Sequence, residues 1–155
     1  MFAIRRADKN DDPAILGLWA QLIQYHRSIE AFRSQRWQIP PEEAIRPPLT
    51  AAWEQPGTRA AFVAEAEGKV LGFVYTELKE GGHCPANINA LFVQADGRSG
   101  GAGQGLLDAA LDWCRSHGAS EVSLDCIWPN DLARRFYEKR GFQPLLVTYV
   151  LKSER

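Results

Sequence analysis

Eight residues, Arg98-Ser99-Gly100-Gly101-Ala102-Gly103-Gln104-Gly105, constrain this chain more than any other stretch. A strand-like run, Ile88 to Val93, precedes them. Leu106, Leu107, Ala110, Leu111 and Cys114 follow at helical spacing, and Gly118 ends that helix. Glycines between a strand and a helix let several backbone N–H groups converge on an anion, reinforced by the positive end of the helix dipole. Side chains there would block close approach or forbid the dihedrals required.

Two nucleotide-binding loops are excluded. A Walker loop needs a lysine after its last glycine, and none follows here. The dinucleotide fingerprint started at Gly101-Ala102-Gly103 puts Leu106 at its final glycine. Asp125 lies about twenty residues on, as that fingerprint would ask, but too little chain follows for a dinucleotide fold.

The remaining elements read as a mixed α/β chain. Residues 2–7 alternate as a short strand. Asp11 or Asp12 before Pro13 starts a helix whose face is Ile15, Leu18, Trp19 and Leu22, running to about Arg27. Residues 28–58 hold Pro40, Pro41, Pro47, Pro48 and Pro56, which suit short helices broken by turns, forming a lid or wall. Ala60 to Glu67 and Lys69 to Leu78 read as an antiparallel hairpin around Glu67-Gly68. Glu121 to Trp128 is a further strand, Asn130 opens a helix ending at Gly141, and Pro144 to Leu151 reads as a last strand. Without repeats or linkers, residues 1–155 are expected to form one domain.

Composition narrows the function. The chain is 45% apolar and 24% charged, with a net charge of −1, so it lacks the basic footprint of a nucleic-acid binder. Its charges form no polybasic run for a membrane surface, and no apolar stretch is long enough to cross a bilayer. Cys84, Cys114 and Cys126 are odd in number and lack C-x-x-C spacing, which suits reduced thiols in the cytoplasm. His26, His83 and His117 form no ligand pair, so no metal is expected.

The glycine-rich run resembles the GNAT superfamily of acetyl-CoA-dependent N-acetyltransferases. Its central signature, [RQ]-x-x-G-x-[GA], is matched by Arg98 to Gly103. The wider pattern continues through Val93, Leu106 and Leu107, with Ala95 for the usual proline and Ser99 for the usual glycine. A second signature, N-x-x-A-x-x-x-Y-x-x-x-G-F, is matched at every position by Asn130, Ala133, Tyr137, Gly141 and Phe142.

The resemblance implies a GNAT-like fold: a mixed, largely antiparallel sheet of six to seven strands, about four helices, and a splayed strand pair at the CoA site. It implies acetyl-CoA as co-substrate, its pyrophosphate on the backbone of Arg98, Ser99, Gly100, Gly101, Ala102 and Gly103. Leu91, Phe92 and Val93 would flank the pantetheine arm and polarise the thioester carbonyl. Asn130 would hydrogen-bond the arm, cap its helix, or both. Tyr137 would be the catalytic acid at the departing sulfur.

The implied reaction is direct attack by a primary amine on the thioester; a non-catalytic acyl-CoA sensor is the alternative. The strand Asn87 to Val93 lacks the glutamate many members use as a base. Asp125, Glu30, His26, His83 and a water chain all stay open for that role. Tyr25, His26, Glu30 and Trp37 are candidates for the acceptor side, facing a small-molecule or peptide amine, and a homodimer is one option for assembly.

Overall fold

The computed structural model describes residues 1–29, 41–81, 85–98, 100–151 and 153, with residues 41, 42 and 44 described by backbone alone. Glu30, Trp37, His83, Cys84 and Ser99 lie outside the described residues.

Five strands form one sheet in the order β1-β2-β3-β4-β5, namely β1 (Ala3–Arg6), β2 (Arg59–Ala66), β3 (Lys69–Leu78), β4 (Ala86–Val93) and β5 (Val122–Leu124). The first four pair antiparallel, and β5 runs parallel to β4. Among the described residues four α-helices accompany them: α1 (Asp12–Ser28), α2 (Pro41–Glu54), α3 (Ala102–Ser116) and α4 (Asp131–Lys139).

Strand alternation sends neighbouring residues to opposite faces. Val63, Phe73, Tyr75, Ala90 and Phe92 pack under Ile15, Leu18 and Ile23 of α1 and Ile45, Leu49 and Ala52 of α2. Ala64, Val74 and Ile88 pack on the other face against Ala102, Leu106, Leu107 and Ala110 of α3. The β2–β3 hairpin turns on Glu67 (φ 53°) and Gly68 (φ 75°), two left-handed residues as a two-residue loop between twisted strands prefers.

Three sequence expectations are corrected. Residues 41–54 form one helix despite Pro47 and Pro48 inside it. The missing donors are outweighed by burial of Ile45, Leu49 and Ala52, and the Pro48 carbonyl accepts from Tyr75 Oη at 2.8 Å. Helix α3 starts at Ala102, inside the glycine-rich run, so Gly103 and Gly105 are helical. Its first turn approaches β1 so closely that a Cβ on Gly105 would lie 3.0 Å from Ile4 Cγ1.

The sheet has five strands among the described residues, not six to seven. Residues 144–151 have strand-forming side chains but pair with no edge among the described residues, and Leu145, Leu146, Tyr149 and Leu151 are 85–96% exposed. Propensity was legible there; a partner strand is a tertiary property that propensity does not specify.

Candidate functional site

The site begins where the sheet comes apart. Three rungs join β4 to β5, Ala86 to Val122, Asn87 to Ser123 and Ile88 to Leu124. Strand β4 continues to Val93, held on its other side by β3 as far as the Val93–Gly72 pair. From Asn89 to Val93, then, β4 has no neighbour on the β5 side among the described residues, and its outward backbone groups face a gap.

A bulge sharpens this point. Tyr75 pairs with Ala90 and Thr76 with Ile88, so Asn89 is the extra residue on β4. The bulge switches faces: Ile88, Leu91 and Val93 side with α3, whereas Ala90 and Phe92 side with α1 and α2.

The glycine-rich connection closes one end of the gap. Gly101 takes a left-handed conformation (φ 83°) and precedes α3 without a side-chain cap. Gly105 N–H is the first in the helix to bond back, to the Gly101 carbonyl at 3.0 Å. The amides of Ala102, Gly103 and Gln104 have no backbone partner among the described residues, as expected for an uncapped first turn. This is a ready anion cradle.

Arg98 is committed elsewhere. Its Nε donates to the Val93 carbonyl at 2.8 Å, and its guanidinium lies 5.5 Å from the Phe92 ring centre and 5.9 Å from that of Tyr25. It ties the connection to β4 and to the end of α1. Tyr25 is thereby brought beside the glycine-rich connection, with His26 next to it at 6.2 Å between ring centres. Burial lowers the His26 pKa, which favours the neutral imidazole.

Asn130 is buried at the start of α4, where its side chain accepts from Ala133 N–H at 3.1 Å. The capping role is therefore filled by Oδ1. Tyr137 packs edge-on between Phe136 (5.3 Å) and Phe142 (5.7 Å), in the cluster that holds Leu91 and Val93. A Cβ on Gly103 would sit 3.7 Å from Phe136 and 3.9 Å from Val93, so α3, α4 and β4 converge there. Among the described residues the Tyr137 hydroxyl makes no hydrogen bond. Burial, and secondarily the Cys126 thiol, pushes its pKa far above that of a free phenol, so it stays protonated. Burial also raises the Cys126 thiol.

Sequence reasoning missed a polar group on the α1–α2 face. Glu77 of β3 accepts from Arg59 Nη1 at 2.6 Å and from Asn89 Nδ2 at 2.9 Å, the latter at the bulge. Arg59 also reaches Tyr75 Oη at 3.3 Å. The available signal was a carboxylate continuing the buried Phe73, Tyr75 alternation. The remaining candidates scatter: Asp125 is exposed. Among the described residues no group of three or more His, Cys, Asp or Glu could hold a metal ion. No helix there is long and apolar enough to cross a membrane.

Comparison with known proteins identifies the family. A model of the acetyltransferase (GNAT) family matches residues 22–142. The chain is 31% identical over 143 residues to an uncharacterised N-acetyltransferase of Bacillus subtilis (strain 168), covering 90% of this chain and 89% of the relative. A mutant of the BH1408 protein of Bacillus halodurans shares the fold, with a TM-score of 0.79, 22% identity and coverage of 97% and 99%. So does AAC(6')-Iy, an aminoglycoside N-acetyltransferase. Its complex with the bisubstrate analogue CoA-S-monomethyl-acetylneamine gives a TM-score of 0.75 at 20% identity, covering 99% of each chain. The chain therefore belongs to the acetyltransferase (GNAT) family and is an acetyl-CoA-dependent acyltransferase.

Proposed function

We propose that this protein acetylates a primary amine by direct attack on acetyl-CoA bound along the gap between β4 and β5. What supports the reading is the end of β4–β5 pairing at Ile88, together with the uncapped amides at the start of α3 and the packing of Tyr137 in the apolar cluster that holds Leu91 and Val93.

The amides of Ala102, Gly103 and Gln104 would hold the pyrophosphate, which needs donors and positive potential rather than a specific side chain. Arg98 would act by fixing the connection, since its guanidinium is stacked on Tyr25 and Phe92. Backbone groups between Leu91 and Val93 would align the pantetheine arm and polarise the thioester carbonyl. The Asn130 side chain, with Oδ1 occupied by the cap, offers Nδ2 to the arm. Tyr137 would donate its proton to the sulfur as the carbon–sulfur bond breaks, a role that needs a phenol held neutral.

The acceptor would enter on the α1–α2 face, past Tyr25 and His26. Glu77 suits an incoming ammonium: its two oxygens bind Arg59 and Asn89, and a carboxylate has about four acceptor sites in all. The acceptors proposed are small amines, including aminoglycoside-like ones. A neutral His26 could take the proton the amine must lose. A cytoplasmic setting is consistent with the unpaired thiols of Cys114 and Cys126.

The test is an acceptor screen with release of free CoA as readout. Turnover with at least one amine, at a rate that depends on Tyr137, supports the proposal. Binding of acetyl-CoA without turnover on any amine class would favour a sensor instead.

A further inference from the structure

Beyond the Ile88–Leu124 rung, each bank of the gap begins with one polar residue, Asn89 on β4 and Asp125 just past β5. The next rung of a parallel pair would join these two, so they stand on opposite banks where the strands part. Both are exposed. Among the described residues Asp125 takes part in no hydrogen bond or ion pair.

The side chains of both banks turn to the acceptor face. Val122 and Leu124 pack with α3, and Cys126 lies within electrostatic reach of Arg134 and Glu138 on α4. Alternation therefore turns Ser123 and Asp125 to the opposite side, the α1–α2 face. Asn87 pairs with Glu77 on one side and with Ser123 on the other, and Ser123 Oγ donates to Asn87 Oδ1 at 3.2 Å. Glu77, Asn87 and Ser123 thus form a polar row across β3, β4 and β5. At the gap the row continues in Asn89, which donates to Glu77, and in Asp125. The helices leave this corner open. Residues of β2, β3 and β4 share the core of α1 and α2, and among the described residues none of β5 does.

Two carboxylates of different kinds therefore border the gap. Glu77 is fixed beside the bulge by Arg59 and Asn89, whereas Asp125 keeps its whole acceptor capacity. Neighbouring strands lie about 4.8 Å apart, so the backbones at Glu77 and Asp125, two strands distant, are roughly 10 Å or more apart. With a charge-assisted contact of about 2.8 Å at each end, two ammonium groups on the order of 5–8 Å apart fit between them. A single ammonium reaches only one. We infer that the acceptor is a diamine, in which Glu77 meets the amine to be acetylated and Asp125 anchors a second ammonium on the opposite bank. The inference rests on the acetyl-transfer reading above and narrows its acceptor. The second ammonium stays protonated and takes no part in the bonds made or broken. An acceptor with an anionic group in its place meets repulsion from Asp125.

Steady-state release of CoA by the full chain, at saturating acetyl-CoA, tests this with three matched acceptors: 1,4-diaminobutane, 1-aminobutane and 4-aminobutanoate. The diamine should exceed the monoamine in kcat/KM by about fivefold or more, the range of one exposed ion pair, and the amino acid should be the poorest. Asp125→Asn should raise the KM for the diamine to that for the monoamine, leaving kcat, the monoamine and the KM for acetyl-CoA unchanged. Asp125→Glu should keep the preference. Glu77→Gln should raise the KM for both amines, because both present the reacting group to it. Equal use of diamine and monoamine, or a preference that survives Asp125→Asn, would overturn the inference and leave acetyl transfer standing. Turnover of no amine at all would remove the acetyl-transfer reading, and this inference with it.

Discussion

Ile88 and Leu124 form the last rung between β4 and β5, one residue before the Asn89 bulge redirects β4. The parallel pair thus ends where the strand changes face, and the gap opens beside Asn89 to Val93 of β4. The start of α3 is positively polarised, which would suit the phosphates of an extended anionic ligand.

Tyr137→Phe should lower kcat by about 100-fold or more, the usual range for losing a positioned acid. Affinity for acetyl-CoA should change less than about threefold, because the ring still packs between Phe136 and Phe142. Steady-state kinetics beside calorimetry separate the two. Unchanged kcat would reduce Tyr137 to packing.

Gly103→Glu should abolish acetyl-CoA binding without unfolding the protein. The glycine is helical, and a Cβ would meet only ordinary contacts at 3.7–3.9 Å, so the carboxylate acts through its charge and bulk at the cradle. Gly103→Ala is the control and should keep most of the affinity. Equal binding by both variants would move the pyrophosphate elsewhere.

Glu77→Gln should raise the KM for the amine about tenfold and change kcat less, since the amide keeps the shape but loses the charge an ammonium would meet. The KM for acetyl-CoA should stay the same. Equal loss in both constants for acetyl-CoA would place Glu77 in the sheet's stability rather than on the acceptor side.

Asp11 predicts an acid limb for stability. Its carboxylate is 9% exposed, accepts two hydrogen bonds from Arg5 at 2.8–2.9 Å, and is held below the usual carboxylate range chiefly by them. A depressed folded value stabilises above the unfolded pKa of about 3.9 and is lost as pH falls through the folded one. Asp11→Asn should cost about 2 kcal/mol at neutral pH. Its melting temperature should then fall less steeply than the native one between about pH 4 and pH 2. Parallel curves would contradict the assignment.

Much of the candidate site's local structure was legible because it depends on short spacings. Gly101, Asn130 and Tyr137 sit at fixed offsets from helix starts, so their spacing survives in the sequence. The hairpin was legible from Glu67-Gly68 for the same reason. Glu77 was not: a two-residue turn pairs Ala66 with Lys69, which carried on regularly would set Arg59 against Thr76. The bulge at Ala64/Glu65 shifts the register by one and brings Arg59 to Glu77. Bulges depend on packing across the sheet, and nothing in the local residues announces them. The fate of residues 144–151 was hidden likewise, because propensity names a strand but not its partner.

A crystal structure with bound CoA tests the central claim most directly. The account predicts the pyrophosphate on the amides of Ala102, Gly103 and Gln104, and the thiol within hydrogen-bonding reach of Tyr137 Oη, the arm running beside Leu91 to Val93. Diphosphate bound away from the start of α3, or a sulfur remote from that phenol, would contradict it.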